Sequence, residues 1–379
     1  MANNDTVVVK NEKQGFLSKI TNSFSGIIVG IVLLLGGIGL LWWNEQNNVK
    51  NIKNVKELRD QVIDVSSASV KNEFEGKLIA TNGKLDYNND TITDSLFGVN
   101  AQTPVLVRTV EVYQWVESSE TKDDTTTYTY SKEWSEKLID SSDFNTPSGH
   151  ENPAVKKYES ERFETEETLK VGAYSLISNF KKLLSADKTV GIDETLTLPE
   201  GYKIYNKYIT NSEVVDSPVV GDIRISYTQA DYSDVSVLGK QIGDTIGDYT
   251  TKKNTNIKKI VKGTENGAEM INEIESANKM MKWMYRIIGT LLVIIAIGSI
   301  LGPITTLIGY IPFLGKIVNS MIGVVSFLIG LAISLVVIAI AWFAARPIVS
   351  IVLLVVIAGL IVALVYFKKS KAVPAEKTN

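Results

Sequence analysis

Twenty consecutive residues without a charge, FSGIIVGIVLLLGGIGLLWW at Phe24–Trp43, limit what this chain can become more than any other feature. At a rise of about 1.5 Å per residue, such a run crosses a hydrocarbon layer about 30 Å thick. It ends in Trp42 and Trp43, aromatics suited to the membrane–water interface. The run is too long, and lacks the small-residue exit, for a cleaved signal peptide, so the sequence predicts a signal anchor. The C-terminal third repeats the pattern. No charged residue occurs from Ile287 to Gly315 or from Ile317 to Ala345, and Arg346-Pro347 precedes a last uncharged run to Phe367. Three further spans are expected near 284–308, 318–343 and 347–367. Pro303 and Pro312, inside LGPITTLIGYIPFLGK, predict a kink or a shallow re-entrant turn rather than one straight helix.

Residues 1–23 and 368–379 are then tails, and 44–282 is one large polar domain between the first and second spans. Four spans put both termini on the same side. Lys10, Lys13, Lys19 and the cluster Lys368, Lys369 and Lys371 assign that side to the cytoplasm, and the large domain to the exterior or a lumen. The formal net charge of −3 gives no reason to expect nucleic acid as a partner. The chain has no Cys, which excludes disulfides, thiolate metal sites and thiol nucleophiles. Thirty-three Lys against six Arg reads as an AT-rich genome rather than a mechanism.

Within the polar domain, Val49, Ile52, Val55, Leu58, Val62 and Val65 recur at helical spacing and extend the first span outward as an amphipathic helix. Met270, Ile271, Ile274, Ala277, Met281, Met284 and Ile288 form a matching stripe that enters the second span. Between the two helices the pattern is mainly that of antiparallel strands. GKLIATNGKL predicts strand around a turn at Asn82-Gly83, and RTVEVYQWVE and TTTYTYSKEWSEKL alternate as two strands, about 105–116 and 126–138, joined by the charged loop SSETKDD. Further short strands are expected near 169–177, 195–198, 202–208 and 220–228, with a short helix at 178–185. The stretch SVLGKQIGDTIGDYT, with a glycine every four residues, is left open between helix and loop. The expected fold is thus a membrane protein of the α+β class, with one N-terminal and three C-terminal transmembrane helices flanking a large extramembrane domain.

Chemistry-bearing motifs are sparse. The single histidine, His150 in NTPSGHENP, suits a turn residue and leaves no partner for a His-pair zinc site or Ser–His machinery. No glycine-rich stretch carries a phosphate-binding fingerprint. The acidic groups DSSD (140–143), ERFETEE (161–167) and DYSD (231–234) read as solvated faces; in an enzyme, Asp140, Asp143, Glu164 and Glu166 would be the residues to test. No charged side chain lies in the interior of an expected span, against the habit of ion and proton transporters. No catalytic residue, cofactor or metal ligand is expected. Gly26 and Gly30, and Gly298 and Gly302, form small-xxx-small patterns that let helices approach closely. Tyr113, Trp115, Tyr130 and Trp134 on the two aromatic strands are either a binding platform or the inside of a small sheet.

WWNE, EGKLIATNGKL, FGV, RTVEVYQWVE, YTYSKEW, GHENP, GDIRISY and WFAARPIV follow one another in an order that resembles the transmembrane protein 43 (LUMA) family over roughly residues 40–367. The resemblance implies one N-terminal span, a large domain and a C-terminal helical cluster. It implies a scaffold of membrane protein complexes in the endoplasmic reticulum and inner nuclear membrane, with no catalytic motif to carry over. The Lys-rich, Cys-free composition points to a bacterial member in a cytoplasmic membrane. A motif shared across such settings suits a fold determinant, so the four aromatics are expected as cross-strand partners. The expected function is a polytopic scaffold, with an oligomeric channel or a lipid- or envelope-acting enzyme as alternatives. Its partners are the lipid bilayer and either a second copy or another membrane protein, reached partly through the stripes that carry Val55 and Met281.

Overall fold

The computed structural model describes residues 5–10, 16–122, 125–308, 314–343, 351–352 and 355–362. The chain divides into two compact units, residues 1–13 with 61–270 and residues 14–60 with 271–379.

Strands build the first unit. Six of them frame it: β1 (Asp5–Lys10), β2 (Leu78–Asp86), β3 (Val105–Lys122), β4 (Thr125–Ser135), β5 (Ile223–Ala230) and β6 (Asp234–Ile242). β1, β4, β3 and β5 lie side by side in that order, antiparallel throughout, in an eight-stranded sheet. β2 and β6 pair antiparallel in a second, seven-stranded sheet. Side-chain alternation explains which face is covered. Along β3, Val110, Val112 and Gln114 are 0%, 1% and 0% exposed, and the residues between them are half-buried. Val110 and Val112 join Phe97, Ile225 and Tyr227 in one core, while Ile79, Val105, Tyr174, Phe180 and Val237 belong to another. Gln114 is polar at a buried position and is satisfied there: its Nε2 donates to the Lys137 carbonyl and its Oε1 accepts from the Ile139 N–H.

Several local expectations change. β2 runs straight through Asn82-Gly83, because Leu78–Lys84 is paired with Asp234–Lys240 of β6. Gly83 serves close approach instead of a turn, since a Cβ there would lie 3.1 Å from Ser67 Oγ and 3.2 Å from Val171. The unassigned glycine stretch is a hairpin: β6 turns at Gly243, whose φ is +61°, into strand Thr245–Gly247. The expected charged loop after 116 is mostly strand, because β3 continues to Lys122 and leaves 123–124 between it and β4. Residues 195–198 form no strand, and Ser178–Leu183 is a 3₁₀ helix.

The second unit is helical, with α1 (Phe16–Gln61), α2 (Gly267–Ile308) and α3 (Leu314–Phe343). Each amphipathic stripe is continuous with its span. α1 stops at Gln61, short of the expected 65, where Ile63–Asp64 turns to strand. Three described helices are long and apolar enough to cross a membrane, at Ser25–Gln61, Gly267–Pro303 and Ile322–Trp342, where four were expected. The expected fourth, 347–367, falls largely outside the described residues, which there are helical at 351–352 and 355–362. α2 passes through Pro303 without breaking, while Pro312 and the basic tail lie outside the described residues.

Small residues set how closely these helices approach. A Cβ on Gly30 would meet the Ala296 carbonyl oxygen at 2.9 Å, and one on Gly26 would meet that of Ser299 at 3.7 Å. Both glycines of α1 therefore face α2. The α2 pair does not return the contact: Gly298 faces Ser326 of α3, and a Cβ on Gly302 would have nothing within 4 Å. Gly289 is the α2 glycine against α1, with Leu41 at 2.7 Å from its built Cβ. Gly330 of α3 sits against Ile294 in the same way.

Candidate functional site

Two constellations stand out, one in each unit. In the first, β3 and β4 form the expected aromatic hairpin. Tyr113 and Trp134 are directly opposite in register, with ring centroids 5.2 Å apart. Trp115 and Tyr130 are not opposite one another, for their partners are Lys132 and Glu117. His150 links them: its ring stacks on Tyr130 at 3.8 Å and meets the edge of Trp115 at 4.7 Å. His150 is 4% exposed, and its Nδ1 lies 2.8 Å from the Thr146 carbonyl oxygen. Burial, and then the hydrogen bond that Tyr130 donates to Glu117, hold the Tyr130 hydroxyl above the ordinary phenol range. Asn152 clips the loop to β3, accepting from the Trp115 N–H and donating to the Trp115 carbonyl. The Lys132 ammonium sits 4.5 Å over the Trp115 ring, and the Arg224 guanidinium 4.6 Å over that of Trp134. Tyr130 is fully buried, whereas Tyr113, Trp115 and Trp134 are each half-buried.

The acidic groups are engaged nearby. Asp140 caps the short helix 141–143 through the Ser142 N–H, Glu164 pairs with Arg162, and Asp231 pairs with Lys188. Buried Arg108 bridges Asp94 at 2.5 Å and Glu161 at 2.8 Å, and Tyr227 donates to Asp94. Burial, with the hydrogen bond to Asp94, raises the Tyr227 hydroxyl as well. Among the described residues no group of three His, Asp or Glu could hold a metal ion.

The second constellation joins three helices. Glu45 of α1 is 0% exposed and takes the Arg286 guanidinium of α2 in a bidentate pair, at 2.6 and 2.9 Å. Trp342 of α3 donates its Nε1–H to the same carboxylate. One turn away, Asn44 donates to the Lys282 carbonyl, and farther out Asn51 meets Asn278 and Arg59 meets Glu275. Val55 is buried, and Met281 is 38% exposed. Trp42, Trp43 and Trp283 are exposed at the same level, as interfacial aromatics are. A buried carboxylate at the end of a span persists because a fork of charge and an indole N–H satisfy it.

The family model described as Transmembrane protein 43 matches residues 112–347. The chain belongs to the transmembrane protein 43 family. It is 26% identical to transmembrane protein 43 of Homo sapiens, over 98% of this chain and 96% of that one. Against the protein of that name from Rattus norvegicus the identity is 27%, over 90% and 89%. A Transmembrane protein 43 homolog of Drosophila melanogaster is 25% identical over 86% and 90%. No solved structure matches. The family match holds the aromatic hairpin, Arg286 and Trp342, while Glu45 precedes it. Sequence reasoning missed the Glu45–Arg286–Trp342 cluster because Glu45 and Arg286 stand just beyond uncharged runs and Trp342 lies near the end of another. The signal was present: WWNE, WMYR and WFAAR place a carboxylate, a guanidinium and an indole at the edges of three expected spans.

Proposed function

We propose that the protein is a non-enzymatic membrane scaffold whose large domain recruits a partner by adding an extended segment of it to the outer edge of β4. The register of β1 carries this reading: Asp5–Lys10 lies antiparallel along Thr125–Tyr130. An edge that accepts one extended segment offers backbone donors and acceptors that another can use. In a chain whose α1 crosses the bilayer, residues 5–10 and 125–130 lie on opposite sides. The β4 edge is then open to a strand from a second copy or from another membrane protein. Four spans, cytoplasmic termini and a non-cytoplasmic 44–282 complete the reading, in a bacterial cytoplasmic membrane by composition. Scaffold is favoured over enzyme because one residue of each acidic group, Asp140, Glu164 and Asp231, is committed to a cap or an ion pair.

The hairpin tells which positions to change. Lys122 opposite Thr125 leaves a two-residue connection, and the pair flanking such a connection exchanges both hydrogen bonds. Positions 125, 127 and 129 therefore bond to β3, and the N–H groups of 126 and 128 point outward. Tyr128→Pro removes one outward donor and leaves the β3 ladder intact. Full-length wild-type, Tyr128→Pro and Tyr128→Phe chains, each purified from native membranes, should differ in one respect: a protein held by the first and third is lost from the second. Co-purification that is identical for all three would refute strand addition at this edge.

A further inference from the structure

Two recesses in the helical unit share part of their lining. The outer one, about 320 Å³, lies between α1 and α2 beyond the tryptophan level and is polar. It holds Lys56, Arg59, Lys279 and Lys282 against Asp60 and Glu275, four cations to two anions. The inner one, about 530 Å³, lies between α2 and α3 and is lined by Ile287, Leu291, Phe327 and Leu331 among other apolar side chains. Lys282 and Trp342 line both. The lining therefore changes from cationic to apolar near Trp283, one of the exposed aromatics at the interface.

A second observation comes from Asn48, which lines the outer recess and is 7% exposed. Its side-chain Nδ2 is buried and has no hydrogen-bond partner among the described residues. A buried amide donor left unmade is destabilising, and an acceptor oxygen placed in the recess would satisfy it. The Arg286 guanidinium is already engaged by Glu45 and Lys279 by Glu275, so such a ligand meets the net excess of cations over anions in the recess. We propose that these two recesses together bind one anionic phospholipid of the surrounding bilayer. Its phosphate and glycerol ester oxygens lie against Asn48 and Lys282, and one acyl chain lies along Leu291 and Phe327. A lipid fits better than a soluble anion, because an apolar groove at membrane depth adjoins the cationic recess. The site is independent of the β4 edge, so either can fail without the other.

The test uses the full-length protein in zwitterionic detergent, titrated with dioleoylphosphatidylglycerol, dioleoylphosphatidylcholine or soluble glycerol 3-phosphate. Thermal protection and native mass spectrometry are the readouts. The expected result is saturable retention of one phosphatidylglycerol, with phosphatidylcholine weaker. Lys282→Gln should weaken the anionic lipid about fivefold, the worth of one cation near a headgroup. Leu291→Trp, which fills the groove from an exposed position, should weaken both lipids and leave helix content unchanged. Equal protection by both lipids, unmoved by either variant, would overturn the proposal in favour of unspecific annular lipid. Protection by glycerol phosphate equal to that by phosphatidylglycerol would overturn it in favour of a soluble-anion site.

Discussion

Tyr130 and Trp115 sit two registers apart on one hairpin, yet they answer different questions. Tyr130 is fully buried, stacked on His150 and hydrogen-bonded to Glu117, so it is a structural residue by every contact it makes. Trp115 is half-buried and carries a lysine on its outer face. Tyr130→Ala should cost about 4 kcal/mol, and Trp115→Ala about 2 kcal/mol because part of its area already meets water. Denaturant unfolding followed by fluorescence measures both. A Trp115→Ala chain of wild-type stability that sheds a co-purifying protein would instead make this face a binding platform. The alternation of RTVEVYQWVE separated Val110, Val112 and Gln114 from Tyr113 and Trp115 but did not say which face is covered, and the structure buries the first set and only half-buries the aromatics. His150 was illegible as a packing residue because its contacts are to strands 20 to 35 positions earlier, and periodicity reports only neighbours.

At the scale of elements, the helices were the most readable part and their mutual contacts the least. Uncharged runs and helical stripes located α1, α2 and α3 because hydropathy and period act along the chain. Which glycine faces which helix depends on rotation about each axis, and small-xxx-small spacing does not encode that. Gly298 accordingly faces α3 while Gly289 takes the contact with α1. Strand ends failed for a related reason: β2 ignores its Asn-Gly because pairing along β6 outweighs a local turn preference. The Glu45–Arg286 pair fixes the register of α1 on α2, and it gives a prediction at this scale. Glu45→Gln or Arg286→Gln alone should cost about 3 kcal/mol by leaving one buried charge uncompensated. The double variant should cost less than the two summed. Additive losses in the cycle, read as thermal denaturation of the detergent-solubilised protein, would mean that the pair is not coupled.

For the whole molecule, the decisive quantity is the side of the membrane on which each segment lies. A chain with no native cysteine permits a clean assay. Cysteines at Val8, Ser118 and Ser370 should divide into two classes under an impermeant thiol reagent, with 8 and 370 together and 118 apart. If 8 and 118 label from the same face, α1 does not cross, and β1 occupies its edge permanently. Crossing and docking are thus competing fates of one N-terminal segment, and synthesis orders them in time. Val7 is paired with Tyr128, about 120 residues later in the chain. At roughly 5–20 residues per second, the ribosome needs on the order of ten seconds to produce that partner. The hydrophobic run at 24–43 is available to the insertion machinery long before then. Biogenesis, rather than affinity, therefore determines whether the edge is closed from within, and a chain delayed in insertion becomes one that has capped its own docking edge.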